Sequence, residues 1–269
     1  MKKILFPTDC SIAAENALKY ALKLAQAFSY TIDVLRVYQA PFRLENDLPP
    51  EIIHQRIEKE AQLIQEEVTS FLKPYMNQVI GEITVLDGAY IAKEIVEKAE
   101  QKKYDLIVMG MKGERNVLDK MVGSVTTHTM RNAPCPVLAI PEGAKYKSIE
   151  SIAYATDLGP DDRHAVEQLM VMAGFLGAQV HFVHVETSPD IGVMEDRVKI
   201  DNYPFEYVDF TIVNSPAVWK GLDQYIEKKD VDILALFAPQ RGLWERLFHT
   251  SLTKQVAFRS EIPLLVFHH

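Results

Sequence analysis

Three glycines and the hydroxyl side chains beside them are the residues of this sequence best suited to chemistry. Val108-Met109-Gly110-Met111-Lys112-Gly113 is followed by nine residues, Glu114 to Val122, and then by Gly123-Ser124-Val125-Thr126, a G-x2-G-x9-G-S spacing. Without a Cβ, Gly110 and Gly113 let the backbone turn sharply and approach a ligand. A helix opening at Gly123-Ser124 would present free N–H groups and the positive end of its dipole to a phosphate. Ser124 and Thr126 add hydroxyl donors, and Lys112 and Arg115 add positive charge. Asp9, at the end of the first apolar run, is placed to accept from a ribose hydroxyl.

These groups need a scaffold, and the chain writes one twice. Thr8-Asp9 recurs as Thr156-Asp157, an offset of 148 that also aligns Thr31–Val37 with Gln179–Val185. Later the offset becomes 127, aligning Tyr104–Val108 with Val231–Ala235, Gly123–Thr126 with Thr250–Thr253, and Pro136–Leu138 with Pro263–Leu265. Self-similarity of this length makes two tandem units of one architecture. The change of offset places a 21-residue deletion in the second unit, opposite the stretch between Tyr38 and Ile80. In the first unit that stretch holds Ile53, Ile57, Ala61, Ile64, Val68, Phe71 and Leu72 at helical spacing, between Pro49-Pro50 and Pro74. The second unit is expected to carry a short helix or an irregular segment there.

The runs Ile4–Pro7, Ile32–Val37, Ile83–Leu86, Leu106–Met109 and Val137–Ile140 are short, apolar strands of the kind that fill a parallel sheet covered on both faces. Helical patterns alternate with them, which argues for an α/β fold of two doubly wound domains. The boundaries are drawn at 1–142 and 149–269, with a short polar link between. Ser11 is a good N-cap for the first helix. In the second unit Pro160 suits a first helical turn, followed by Asp161 and Asp162, where the dipole favours acid.

Composition narrows the function. The 269 residues are 48% hydrophobic and 25% charged, with a net charge of −8, against the basic surplus of nucleic-acid binders. No apolar run is long enough for a membrane span, and the N-terminus does not read as a signal peptide. Cys10 and Cys135, far apart, exclude a disulfide framework, and a reducing cytoplasm is expected. No P-loop, dinucleotide fingerprint, H-E-x-x-H or G-x-S-x-G motif occurs.

The constellation resembles the universal stress protein family, whose nucleotide-binding members carry this glycine spacing. The resemblance covers both units. It rests on Pro7-Thr8-Asp9, Asp105–Gly110, the glycine pattern and Ala133-Pro134-Cys135-Pro136-Val137, and points to the tandem two-domain type. It implies a five-stranded parallel sheet in the order 3-2-1-4-5 in each domain. It also implies one ATP, with ADP or AMP as alternatives and Mg2+ as a companion. By this resemblance Pro7, Thr8 and Asp9 line the adenosine, and Val37 and Met109 flank the adenine. Gly110, Gly113, Gly123, Ser124 and Val125 would hold ribose and phosphates. Lys112, Arg115 and Thr126 are added from their chemistry.

The second unit departs from the pattern. Phe237, Gln240 and Thr250 stand at the three glycine positions, while Asp157 and Ser251 remain. This half is expected not to bind ATP in the family manner, although Arg241, Arg246 and His249 leave an unknown anion open. The reading is a nucleotide-binding stress-response regulator, with at most weak ATPase activity. The alternatives are a slow ATP hydrolase and a nucleotide-independent dimerisation module. The family also implies antiparallel pairing of last strands, here Val137–Ile140 with Leu264–Phe267, as an intrachain pseudo-dimer. A homodimer and a protein partner are expected as well.

Other candidates read as structure. His181 and His184, three apart on a strand, point to opposite faces and make a poor joint metal site. Cys10 lies near a helix start, where a thiol pKa can fall. Trp219, Trp244 and Cys135 read as packing residues. His268 and His269 are set aside from the functional reading, as native residues or a tag remnant.

Overall fold

The computed structural model describes residues 2–40, 49–76, 79–111, 123–157, 162–187, 209–238 and 262–268. The first half runs β1 (Lys3–Pro7), α1 (Ile12–Phe28), β2 (Thr31–Tyr38), α2 (Pro50–Leu72), β3 (Ile80–Asp87), α3 (Ile91–Lys102), β4 (Leu106–Met111), α4 (Ser124–Asn132) and β5 (Val137–Pro141). The second runs β6 (Ser151–Ala155), α5 (Arg163–Leu176), β7 (Gln179–Glu186), β8 (Asp209–Asn214), α6 (Val218–Lys229), β9 (Ile233–Phe237) and β10 (Leu264–Phe267). The segment expected to replace α2 in the second half, and the loop with Gln240, Arg241, Arg246, His249, Thr250 and Ser251, lie outside the described residues.

The strands form one ten-stranded sheet in the order β3-β2-β1-β4-β5-β10-β9-β6-β7-β8. Each half is parallel within itself in the order 3-2-1-4-5. The halves meet where β5 and β10 pair antiparallel, Leu138 opposite Leu265 and Val137 opposite Val266. These two strands are fully buried at the centre, which is why both read as unbroken apolar runs. The outer strands β3 and β8 are half-exposed and carry Glu82, Thr84, Thr211 and Asn214.

Successive strand residues face opposite ways, so two apolar layers form, one on each face. Phe6, Leu18, Val34, Val108, Tyr154, Phe182 and Phe267 belong to one, and Leu5, Leu35, Ile107, Val137, Ala153, Val183 and Val266 to the other. Both layers run through the β5–β10 junction without a break. The polar link is itself packed. Asn16 donates to the carbonyls of Pro141 and Ala144, Tyr20 donates to Lys145 O at 3.3 Å, and the Tyr20 and Tyr146 rings meet edge-on at 4.9 Å. Lys147 pairs with Asp232 at 2.7 Å and Asp230 at 3.1 Å, and Ala144 and Ile149 are buried.

Helix α1 is capped as its sequence suggests: Ser11 Oγ accepts from Ala14 N–H at 3.3 Å. Pro50 opens α2 from the first helical position, where its missing N–H costs nothing. Helix α5 differs from expectation. Asp162 is its N-cap residue, and the carboxyl is buried against the sheet and does not sit in an exposed first turn. Pro160 and Asp161 lie outside the described residues.

Candidate functional site

The C-terminal ends of β1, β2 and β4 open into a cavity of about 260 Å3. This is the switch point of the sheet, where α1 covers one face and α3 the other. The chain enters it through a turn built by its own side chains. Thr8 N–H continues the ladder to Leu35 O at 2.9 Å, and Thr8 Oγ1 accepts from Cys10 N–H at 3.0 Å. Asp9 Oδ1 accepts from Ser11 N–H, also at 3.0 Å. These local bonds offset the cost of a left-handed backbone at Cys10, whose φ is 58°. Burial pushes the Cys10 thiol up from its ordinary value, against the lowering that a helix start can bring. Burial drives Cys135 further, to about 12.

Gly110 has a packing role beside its place in the cavity wall. A Cβ there would lie 2.9 Å from the backbone carbon and oxygen of Ala13. The glycine therefore lets α1 settle directly on β4, and it is this approach that brings Ala13 and Ala14 to the cavity wall. Gly123 is the N-cap residue of α4 at φ −55° and ψ 146°, a backbone that other residues also adopt. Helix geometry leaves the N–H groups of Ser124, Val125 and Thr126 without intrahelical acceptors, in the turn that lines the cavity. The Thr126 hydroxyl donates to Gly110 O at 3.4 Å and so ties α4 to β4.

Of the residues singled out from sequence, Pro7, Thr8, Asp9, Val37, Met109, Gly110, Gly123, Ser124, Val125 and Thr126 line this one cavity. Lys112, Gly113 and Arg115 lie outside the described residues. Ser11, Ala13, Ala14, Leu35, Arg36, Ile91 and Ile95 were not foreseen as wall residues. Ile91 and Ile95 are one helical turn apart and read as ordinary core. Arg36 donates through Nη1 to Thr8 O at 3.4 Å and lies 3.7 Å from Glu67 through Nη2. The wall therefore has an apolar end, made by Leu35, Val37, Ile91, Ile95 and Met109, and a helix N-terminus rich in donors. A flat apolar ring system fits the first and an anion the second. Asp9 is the carboxylate of the described wall. Among the described residues no group of three or more His, Cys, Asp or Glu side chains could hold a metal ion.

The corresponding described positions in the second half carry different side chains. Thr156 N–H repeats the ladder bond, to Val183 O at 3.0 Å. Asp162, at the offset position of Ala14, accepts from Thr156 Oγ1 at 3.1 Å and Tyr154 OH at 3.2 Å, and is 4% exposed. His184, in place of Arg36, is 6% exposed and donates from Nδ1 to Thr156 O at 2.8 Å. Phe237 fills the position of Gly110. On the other face a Cβ at Gly221 would meet Val185 Cγ1 at 2.7 Å, so α6 lies tight on the counterpart of Val37. His181 bonds instead to Asp209 at 3.0 Å, so the two histidines serve separate partners. Trp219, on α6, packs partly buried against the core, as expected, and Trp244 lies outside the described residues.

A family model described as the universal stress protein family matches residues 1–141. A universal stress protein of Methanocaldococcus jannaschii is 36% identical over 148 residues, covering 54% of this chain and 84% of the relative. One from Thermus aquaticus is 31% identical over 140 residues, covering 52% of this chain and 98% of the relative. The crystal structure of a universal stress protein from Archaeoglobus fulgidus superposes with a TM-score of 0.74 at 19% identity, covering 99% of this chain and 98% of that one, which speaks to the fold alone. No described helix is long and apolar enough to cross a membrane. From the match over the first half, the relatives and the strand order, the chain belongs to the universal stress protein family.

Proposed function

We propose that the first half binds one ATP per chain and that the second half is a scaffold without a nucleotide site. One observation carries this reading: the cavity wall joins an apolar end to the N-terminal turn of α4. The base lies between Val37 and Met109, Asp9 meets the ribose, and Gly123, Ser124 and Val125 face the phosphates, with Gly113, Lys112 and Arg115 completing that end. Mg2+, where present, travels with the phosphates. Asp9 is committed to the nucleoside end and already accepts from Ser11, which leaves hydrolysis weak at most. ADP or AMP would use the same walls.

The chain then works as a stress-response regulator in the cytoplasm, with occupancy read by a protein partner. A homodimer would need a surface other than the β5 edge, which β10 already covers within the chain. The test is mass spectrometry of the nucleotide carried through native purification, joined to calorimetric titration with ATP. One site per chain, lost in Gly123→Val, is expected. Two equivalent sites, or none, would overturn the reading.

A further inference from the structure

We propose that His268 is a positioning residue for the phosphate end of the cleft, supplied by the second half and acting through α4. The proposal rests on the nucleotide reading. Helix α4 has nine residues, about 13 Å of length, and its first turn lines the cavity. Its last carbonyls have no intrahelical donors. Ala133 N–H closes onto Thr129 O at 2.9 Å, and the next carbonyl, Met130 O, lies 2.6 Å from His268 Nε2. A carbonyl only accepts, so Nε2 carries the proton and donates.

The donor stands on firm ground. His268 directly follows β10, whose residues are registered against β5 on one side and β9 on the other. A donor at the C-terminal end of a helix and an anion at its N-terminal end favour the same dipole. One short helix therefore carries the phosphate-binding turn at its front and a cap from the other half at its back. Thr126 pins the front to Gly110 O, and His268 pins the rear. Between them they set where the Ser124 and Val125 N–H groups point.

A residue acting through α4 affects phosphates and not the nucleoside. Calorimetry with ATP and with adenosine on the full chain separates the two. His268→Ala is expected to weaken ATP about three- to fivefold and leave adenosine unchanged. His268→Gln, whose amide N–H reaches the same carbonyl, restores most of the loss. If His268→Ala does not fold, His268→Gln and His268→Phe fill similar space with and without a donor and answer the same question. Unchanged ATP binding in the donor-free variants, or equal weakening of both ligands, overturns this proposal alone. A wild-type chain that binds neither ligand overturns the nucleotide reading and this proposal with it.

Discussion

At the ends of β1 and β6 the chain makes the same opening move, a Thr-Asp step whose threonine N–H bonds to the neighbouring strand. After that the two halves part. In the first, Ala14, Gly110 and the gap beside Val37 leave a cavity. In the second, Asp162, Phe237 and an α6 drawn in by Gly221 occupy the corresponding places. The strand order is the same in both halves, so the described difference lies in the side chains. In the second half the described polar side chains at these places bond to one another. On the proposed reading the second half is a packed site with its own polar network, and restoring one glycine at a time is expected not to reopen it.

The largest effect should come from Phe237. Truncating a buried phenylalanine costs about 4 kcal/mol. Phe237→Ala should lower stability by that much in urea unfolding, while calorimetry still counts one ATP per chain. A second binding site appearing in this variant would break the comparison, since it would mean that one side chain alone separates the halves.

The converse change sharpens it. At Gly110 even one methyl meets the Ala13 backbone, which has no flexible end to yield. Gly110→Ala should cost about 2 kcal/mol by forcing α1 off β4. It should also weaken ATP binding, because Ala13 and Ala14 line the cavity. Full stability with full affinity would show that the 2.9 Å approach is not what the glycine provides.

Asp162→Ala comes next. It removes acceptors from Thr156 and Tyr154, a loss of about 1–2 kcal/mol for two hydrogen bonds. The expected change is confined to the second half, read as faster amide exchange in β6 and the first turn of α5. An effect on ATP affinity equal to that of Gly110→Ala would contradict the division of labour drawn above.

What the sequence discloses follows from how local each feature is. Ser11 as a cap, Pro50 at a helix start and the buried strands are decided by a few neighbouring residues, and they stand as expected. The family resemblance discloses more, because it implies that the last strands of the two units pair, as β5 and β10 do. Asp162 is not legible. An acid near a helix start satisfies the dipole rule, and only the folded chain brings Tyr154 and Thr156 onto its carboxyl. Gly110 has a packing role beyond the one read from sequence, since sequence cannot say that a bare backbone also meets a helix. Ile91, Ile95 and Arg36 sit at the rim through the sheet's crossover, which no single stretch of sequence encodes. His268 carries no signal at all in the sequence, and its partner lies 138 residues away.

The smallest effect concerns two carboxylates at the opposite end of the sheet, where the halves trade polarity. Asp33 on β2 accepts from Lys3 Nζ at 2.7 Å, Glu82 N–H at 2.9 Å and Tyr104 OH at 2.9 Å. At its offset position stands His181, and the acid has moved to Asp209 on β8, where Lys229 and His181 face it. Burial pushes both carboxyls up, but the donors outweigh it and hold both below the usual aspartate value. A depressed folded pKa contributes stability that is whole above the unfolded value of about 3.9 and is lost as pH falls through the folded one. Stability should therefore be flat in this respect above about pH 4 and decline below it. Asp33, with its side chain 4% exposed against 28% for Asp209, should contribute the larger share. Urea unfolding from pH 6 to 2.5 checks this: Asp33→Asn should flatten the acid slope more than Asp209→Asn. A slope indifferent to both substitutions would show that the exchanged networks do not differ in the way their burial implies.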